Sequence, residues 1–118
     1  MGIRYVQAVG PTVVKVAGNT TYLKRHYHEE VHYAYEEESE EAGFFVQGIR
    51  MEKVVQYWND NGAVFSLFYE KQTDRKPSYV TYRFQSRNDS DKVVFATYSM
   101  QGVLVDEWHP TAYYEGEE

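Results

Sequence analysis

The sequence predicts an all-β protein, an antiparallel up-and-down meander of seven or eight strands closed or partly closed into a barrel. Three observations predict it. Apolar and polar residues alternate at period two through several segments, as half-buried strands require. Turn-forming clusters (Gly18-Asn19, Asn59-Asp60-Asn61-Gly62, Thr73 to Pro77, Asn88 to Asp91) separate those segments by short connections. Short-linked antiparallel strands also tend to close, because open sheet edges invite aggregation.

The segment from Thr20 to Tyr35, TTYLKRHYHEEVHYAY, anchors this reading, with three of the four histidines and four of the twelve tyrosines. At period two Leu23, Arg25, Tyr27, Glu29, Val31, Tyr33 and Tyr35 share one face. Tyr22, Lys24, His26, His28, Glu30, His32 and Ala34 share the other. The valines of residues 12–17 precede it, and Gly18-Asn19 suits a two-residue hairpin turn between the two. The alternative fold is α+β, with a helix at about 20–42 packed on an antiparallel sheet, because Leu23, Tyr27, Val31 and Ala34 or Tyr35 also recur at helical spacing. Such a helix would put Lys24 and Arg25 at its positive end and Glu36 to Glu41 at its negative end, against the macrodipole.

In chain order, strands are expected over 3–9, stopped by Gly10-Pro11, then over 12–17 and 20–35. A charged connection over 36–43 follows. Residues 44–58 read as one long strand with a bulge or bend at Gly48. Further strands are expected over 63–71, 78–86 and 92–100. Gln101-Gly102 is expected either to close a last hairpin into 103–108 or to mark a bulge. The expected organisation is one domain, 1–110, with an acidic, mobile tail over 111–118.

Composition narrows the function classes. With 118 residues and no cysteine, the chain can bury a core, and disulfides, thiol catalysis and cysteine-based zinc sites are excluded. The net charge of −6 is concentrated in seven glutamates between Glu29 and Glu41 and three more in the tail, which argues against nucleic-acid binding. No signal-peptide pattern and no apolar run of about 20 residues is present, so a soluble, cytoplasmic protein without a membrane segment is expected. Twelve tyrosines are too many for a core this size, so some are expected to line a pocket or an interface.

Candidate chemistry centres on the histidines. On a strand, His26 and His28 share a face with Glu30, a His-x-His set able to hold zinc or iron if further ligands come from elsewhere. On a helix, His28 to His32 would spell the HExxH zinc motif. The run from His26 to Tyr33 also resembles the first metal-binding motif of cupins, in which a strand carries His-x-His and then Glu. Here His32 stands where that acid would fall, the closing glycine is missing and no second motif follows. The general pattern is similar to lipocalin-like barrels but lacks their Gly-Trp signature. Tyr79, Thr81, Arg83, Gln85 and Arg87 form one face of a strand and could stack bases, though an ordinary polar outer face fits the acidic whole better.

The function expected from this is non-enzymatic: a small barrel holding one small ligand in an aromatic-lined pocket, without a cofactor. Tyr22, His26, His28 and Arg50 would orient the ligand, and Trp58, Tyr82 and Phe84 would give stacking area. The alternative is a protein-binding module, an inhibitor or a subunit of an assembly, that uses the acidic loop and exposed aromatics such as Trp108. A metal enzyme built on His26, His28 and Glu30 ranks third. The expected partners are therefore a small molecule, another protein or further copies of the chain.

Overall fold

In the computed structural model, which describes residues 3–34, 43–85 and 92–108, the N-terminal part is helical and the rest is antiparallel sheet. The helices are α1 (Ile3–Ala8), α2 (Gly10–Ala17) and α3 (Thr20–His26). They replace the strands expected over 3–9 and 12–17 and the first part of the strand expected over 20–35. Gly18-Asn19 is accordingly a link between helices rather than a hairpin turn.

Local chemistry explains each helix. Val9 N–H still bonds Tyr5 O, and Val13 N–H bonds Val9 O, so α1 and α2 are nearly continuous. Pro11 has no N–H for the next i→i−4 bond, which separates them, while its place in the first turn of α2 is one that proline fills readily. Asn19 caps α3, its side-chain oxygen accepting from Tyr22 N–H at 3.1 Å. Because α3 ends at His26, Lys24, Arg25 and His26 occupy its last turn, where positive charge is favoured. A helix running on into the glutamates would place them at its negative end; one that stops at His26 does not.

The histidine-rich segment turns extended immediately afterwards as β1 (His28–Tyr33). The residues of the HExxH spelling therefore lie on a strand, where they cannot form that motif. The single strand expected over 44–58 is three: β2 (Phe44–Val46), β3 (Ile49–Met51) and β4 (Lys53–Asn59). Gly48 is not a bulge within a strand. With Gln47 it makes the tight turn between β2 and β3, both residues having positive φ (79° and 50°). The chain continues as β5 (Gly62–Tyr69), β6 (Tyr79–Gln85), β7 (Val93–Ser99) and β8 (Leu104–Trp108), close to the expected positions. Gln101-Gly102 does turn the chain from β7 into β8.

The eight strands form an antiparallel six-stranded sheet, ordered β1-β4-β5-β6-β7-β8, and the two-stranded β2-β3 ribbon. Among the described residues β1 and β8 remain its two edges, so the sheet is open rather than a closed barrel. The expected acidic connection and tail, together with Tyr35, Arg87 and His109, lie outside the described residues.

Pairing register decides which side chains share a face. Phe65 opposes Tyr82, Leu67 opposes Val80, and Val80 opposes Tyr98, so these residues line the helix-covered face. Val6, Val13, Ala17 and Leu23 from the helices meet Val55, Tyr57, Phe65, Leu67, Val80, Phe84, Ala96 and Tyr98 there as the core. On the other face Val54 is also buried, close in sequence to Met51 and Val46 of the ribbon.

Two contacts fix the helices to the sheet. The Tyr98 hydroxyl donates to Val6 O, tying β7 to α1. Gly10 lies against Gly102, whose φ is +83°: a Cβ on Gly10 would stand 2.0 Å from Gly102 O, and one on Gly102 would stand 2.8 Å from Pro11 N. Only backbone fits at that seam. No helix among the described residues is long and apolar enough to cross a membrane, which says nothing about strands.

Candidate functional site

A cleft of about 290 Å³ opens between the helical layer and the sheet. Tyr5, Val9, Thr12, Val13, Val16 and Tyr22 line it from the helices, and Tyr27, Phe65, Tyr82 and Phe84 from the sheet side. Helix periodicity sets the first wall: Tyr5, Val9, Thr12 and Val16 recur at spacings of four, three and four, a single stripe running across α1 and α2. Strand alternation sets the second, since Tyr82 and Phe84 are two apart on β6 and Phe65 opposes Tyr82 on β5.

The rings pack as a connected aromatic cluster. Tyr5 meets Phe84 edge-on at 6.1 Å between centroids, and Phe84 meets Tyr82 edge-on at 4.8 Å. Tyr82 leans on Phe65 at 4.8 Å, which Tyr27 meets edge-on at 5.9 Å. The three edge-on contacts have a preferred geometry for quadrupolar rings.

Four phenols (Tyr5, Tyr22, Tyr27 and Tyr82) thus border one cleft, and none of their hydroxyls bonds a protein atom among the described residues. Tyr27 and Tyr82 hold their protons more firmly than a free phenol. Burial raises the Tyr27 pKa, with the nearby Tyr22 and Tyr82 hydroxyls adding to it and Arg83 opposing. Burial likewise raises that of Tyr82, with Tyr5 and Tyr22 adding and Arg83 again opposing. At neutral pH the cleft presents neutral O–H groups able to donate or accept.

The expected ligand-binding residues fall in three places. Tyr22, Tyr82 and Phe84 meet in this cleft. His26, His28 and Trp58 instead border a second depression of about 540 Å³, together with Glu30, Asn59 and Asp60. Its histidines, Asn59 and Asp60 are exposed, so it is an open hollow with little to exclude water from a ligand. His26 stacks on Tyr22 at 4.2 Å, and its Nδ1 lies 2.9 Å from Tyr22 O. Although His26, His28 and Glu30 border the same hollow, no group of three or more His, Cys, Asp or Glu among the described residues is arranged to hold a metal ion. Arg50 lies on β3, borders neither pocket, and donates from Nη2 to Ala34 O at 3.1 Å.

Sequence reasoning missed Tyr5, Tyr27 and Phe65 as wall residues. The signal for Tyr5 was the 5-9-12-16 spacing, which becomes visible only once residues 3–17 are read at helical rather than strand period. Compared with known proteins, the chain matches no family model, no curated protein and no solved structure.

Proposed function

We propose that this protein is a non-enzymatic binding domain that holds a small aromatic molecule in the cleft between α1–α3 and the sheet. One observation carries the reading: four tyrosine hydroxyls without protein partners border an apolar, aromatic-walled cleft. These hydroxyls reach the cleft uncommitted, at its exposed rim (Tyr5 and Tyr22) and on its half-buried wall (Tyr27 and Tyr82), and a ligand polar group would engage them. The volume, near the lower end of the usual range of about 300–1,000 Å³, suits a molecule of one or two rings. Edge-to-face packing leaves ring faces for stacking, and neutral phenols favour a ligand with carbonyl or hydroxyl groups rather than a cation.

The test uses the neutral fluorescent probe N-phenyl-1-naphthylamine, with native mass spectrometry of freshly purified protein in parallel. Thr12 is exposed at the cleft wall, so Thr12→Trp should plug the cleft without altering the buried core. Saturable probe enhancement that is lost in Thr12→Trp is the expected result. An absence of both probe binding and co-purifying compound, or a response equal in Thr12→Trp, refutes the proposal.

A second reading, a protein-binding module, is favoured by apolar residues exposed away from the cleft. Phe45 and Ile49 are exposed on the β2–β3 ribbon, and Val103 and Trp108 at the β8 edge. Exposed aromatics suit interface anchors. Sedimentation over a range of concentrations would show self-association as a rising weight-average mass, which Phe45→Ser or Trp108→Ser should abolish.

A further inference from the structure

Arg83 lies between Tyr82 and Phe84 on β6, so it projects from the face of the sheet opposite the cleft. Its residue is only 8% exposed, yet no carboxylate pairs with it among the described residues. Nη2 donates to Asn59 Oδ1 at 3.1 Å, while Nε and Nη1 are buried with no acceptor among the described residues. A guanidinium does not shed its proton inside a protein, so the charge stays. The remedy open to a lysine or a histidine is closed to it, so the charge calls for an anion.

A pocket of about 200 Å³ lies beside it, lined by Arg83, Asn61, Gln85 and Val93. Two carboxamides and a guanidinium make its polar wall, and Val93 adds an apolar side. Asn59 holds the arrangement together, its Oδ1 accepting both from Arg83 and from Asn61 N–H at 2.9 Å. Gly62 packs against the guanidinium, where a Cβ would stand 3.5 Å from Nη1.

We infer that this pocket is an oxyanion site, in which the Arg83 guanidinium receives a carboxylate or phosphate group small enough to sit beside Val93. Guanidinium N–H groups match the oxygen spacing of both anions, and charge-assisted bonds to either are stronger than neutral ones. The apolar wall favours a short carboxylate over inorganic phosphate. The site opens on the face of the sheet opposite the aromatic cleft.

The experiment is thermal unfolding at pH 7 and constant ionic strength, with chloride replaced stepwise by propionate or by inorganic phosphate. In parallel, the Arg83 side-chain Nε–H signal is followed by NMR. At tenfold saturation the midpoint should rise by about 5 °C. Arg83→Met removes the charge but keeps most of the stem, so the anion response should vanish while the anion-free protein is at least as stable as the parent. Arg83→Lys, which keeps the charge and loses the fork, should weaken binding about tenfold and also serves if the Met variant does not fold. A larger shift with propionate than with phosphate identifies a carboxylate site, and the reverse identifies a phosphate site. Equal responses in the parent and Arg83→Met, or an Arg83 signal indifferent to both anions, overturn the inference. So does an anion-free Arg83→Met that is much less stable than the parent, because the guanidinium would then already be satisfied within the chain.

Discussion

The two faces of the sheet solve burial in opposite ways. On the helix-covered face, Val80, Tyr82, Phe84, Ala96 and Tyr98 meet an apolar layer, and non-directional packing does most of the work. On the other face Ser66, Thr81, Arg83 and Thr97 are buried although polar, and each must be matched by a specific partner. Thr81 and Thr97 answer with a 2.7 Å hydrogen bond to each other, Ser66 with Gln56 at 3.4 Å, and Arg83 with one bond to Asn59. The helical face thus tolerates an incomplete fit, which leaves a cleft. On the polar face the unmet requirement is instead a charge.

The largest expected effect breaks the helical face at its seam. Gly10→Ala must force the α2 start away from Gly102, where a Cβ would stand 2.0 Å from a carbonyl oxygen. Backbone on both sides cannot yield as a flexible side chain would. Overpacking of this kind is expected to cost about 3 kcal/mol, read as a lower urea midpoint with an unchanged slope. Gly18→Ala is the control: its Cβ meets only Val14 O at 3.4 Å and Lys15 O at 3.5 Å, and its φ of −71° is ordinary, so stability should hold or rise slightly.

A smaller effect comes from Tyr98, which is fully buried and bonds Val6 O. Tyr98→Phe should cost about 1.5 kcal/mol at pH 7, measured by denaturant unfolding. The pH dependence sharpens the point. Burial, with the negative charge of Glu107 and the neighbouring Tyr5 adding to it, pushes the Tyr98 pKa up to about 12 from 10.0. The unfolded chain therefore loses this proton first, and it binds fewer protons than the native state between those values. Stability from this group is complete below pH 10 and declines as pH rises toward 12, by at most about 1.4 kcal/mol per unit. The gap between parent and Tyr98→Phe should narrow over the same window, close about one unit above pH 10 and reverse in sign toward pH 12. A gap independent of pH would mean that the phenol is not held protonated by the fold.

What could be read in the sequence follows the same division. The strands from β4 onward were legible because each carries its own alternation and its own turn residues: Asn59 to Gly62 really does close β4 onto β5, and Thr73 to Pro77 separates β5 from β6. The helices were not, because Val13, Val14 and Val16 favour extended structure by local preference, and Gly18-Asn19 imitates a hairpin turn. Tertiary packing overrode that preference: Val6, Val13 and Ala17 cover a sheet that needs a second layer. Of the site, Tyr82 and Phe84 were legible from strand parity alone. Tyr5 and Phe65 were not, since their meeting depends on helices laid across a sheet. Arg83 could be placed on a polar face, but nothing in the sequence told that the face is buried.

The smallest effect tests whether that polar face is held by matched pairs. Thr81→Val leaves the Thr97 hydroxyl buried without its 2.7 Å partner, and Thr97→Val does the reverse, because both residues are nearly inaccessible. Each single change should cost about 1 kcal/mol, the penalty of an orphaned hydroxyl. The double change removes both hydroxyls and puts two β-branched side chains of nearly the same shape in their place, which suits a strand. It should therefore be close to neutral, and a double-mutant cycle should give a coupling of about 1–2 kcal/mol. Additive costs would show that the two hydroxyls are satisfied separately. The face would then resemble the helical one, tolerant of loose fits, and the contrast between the two would disappear.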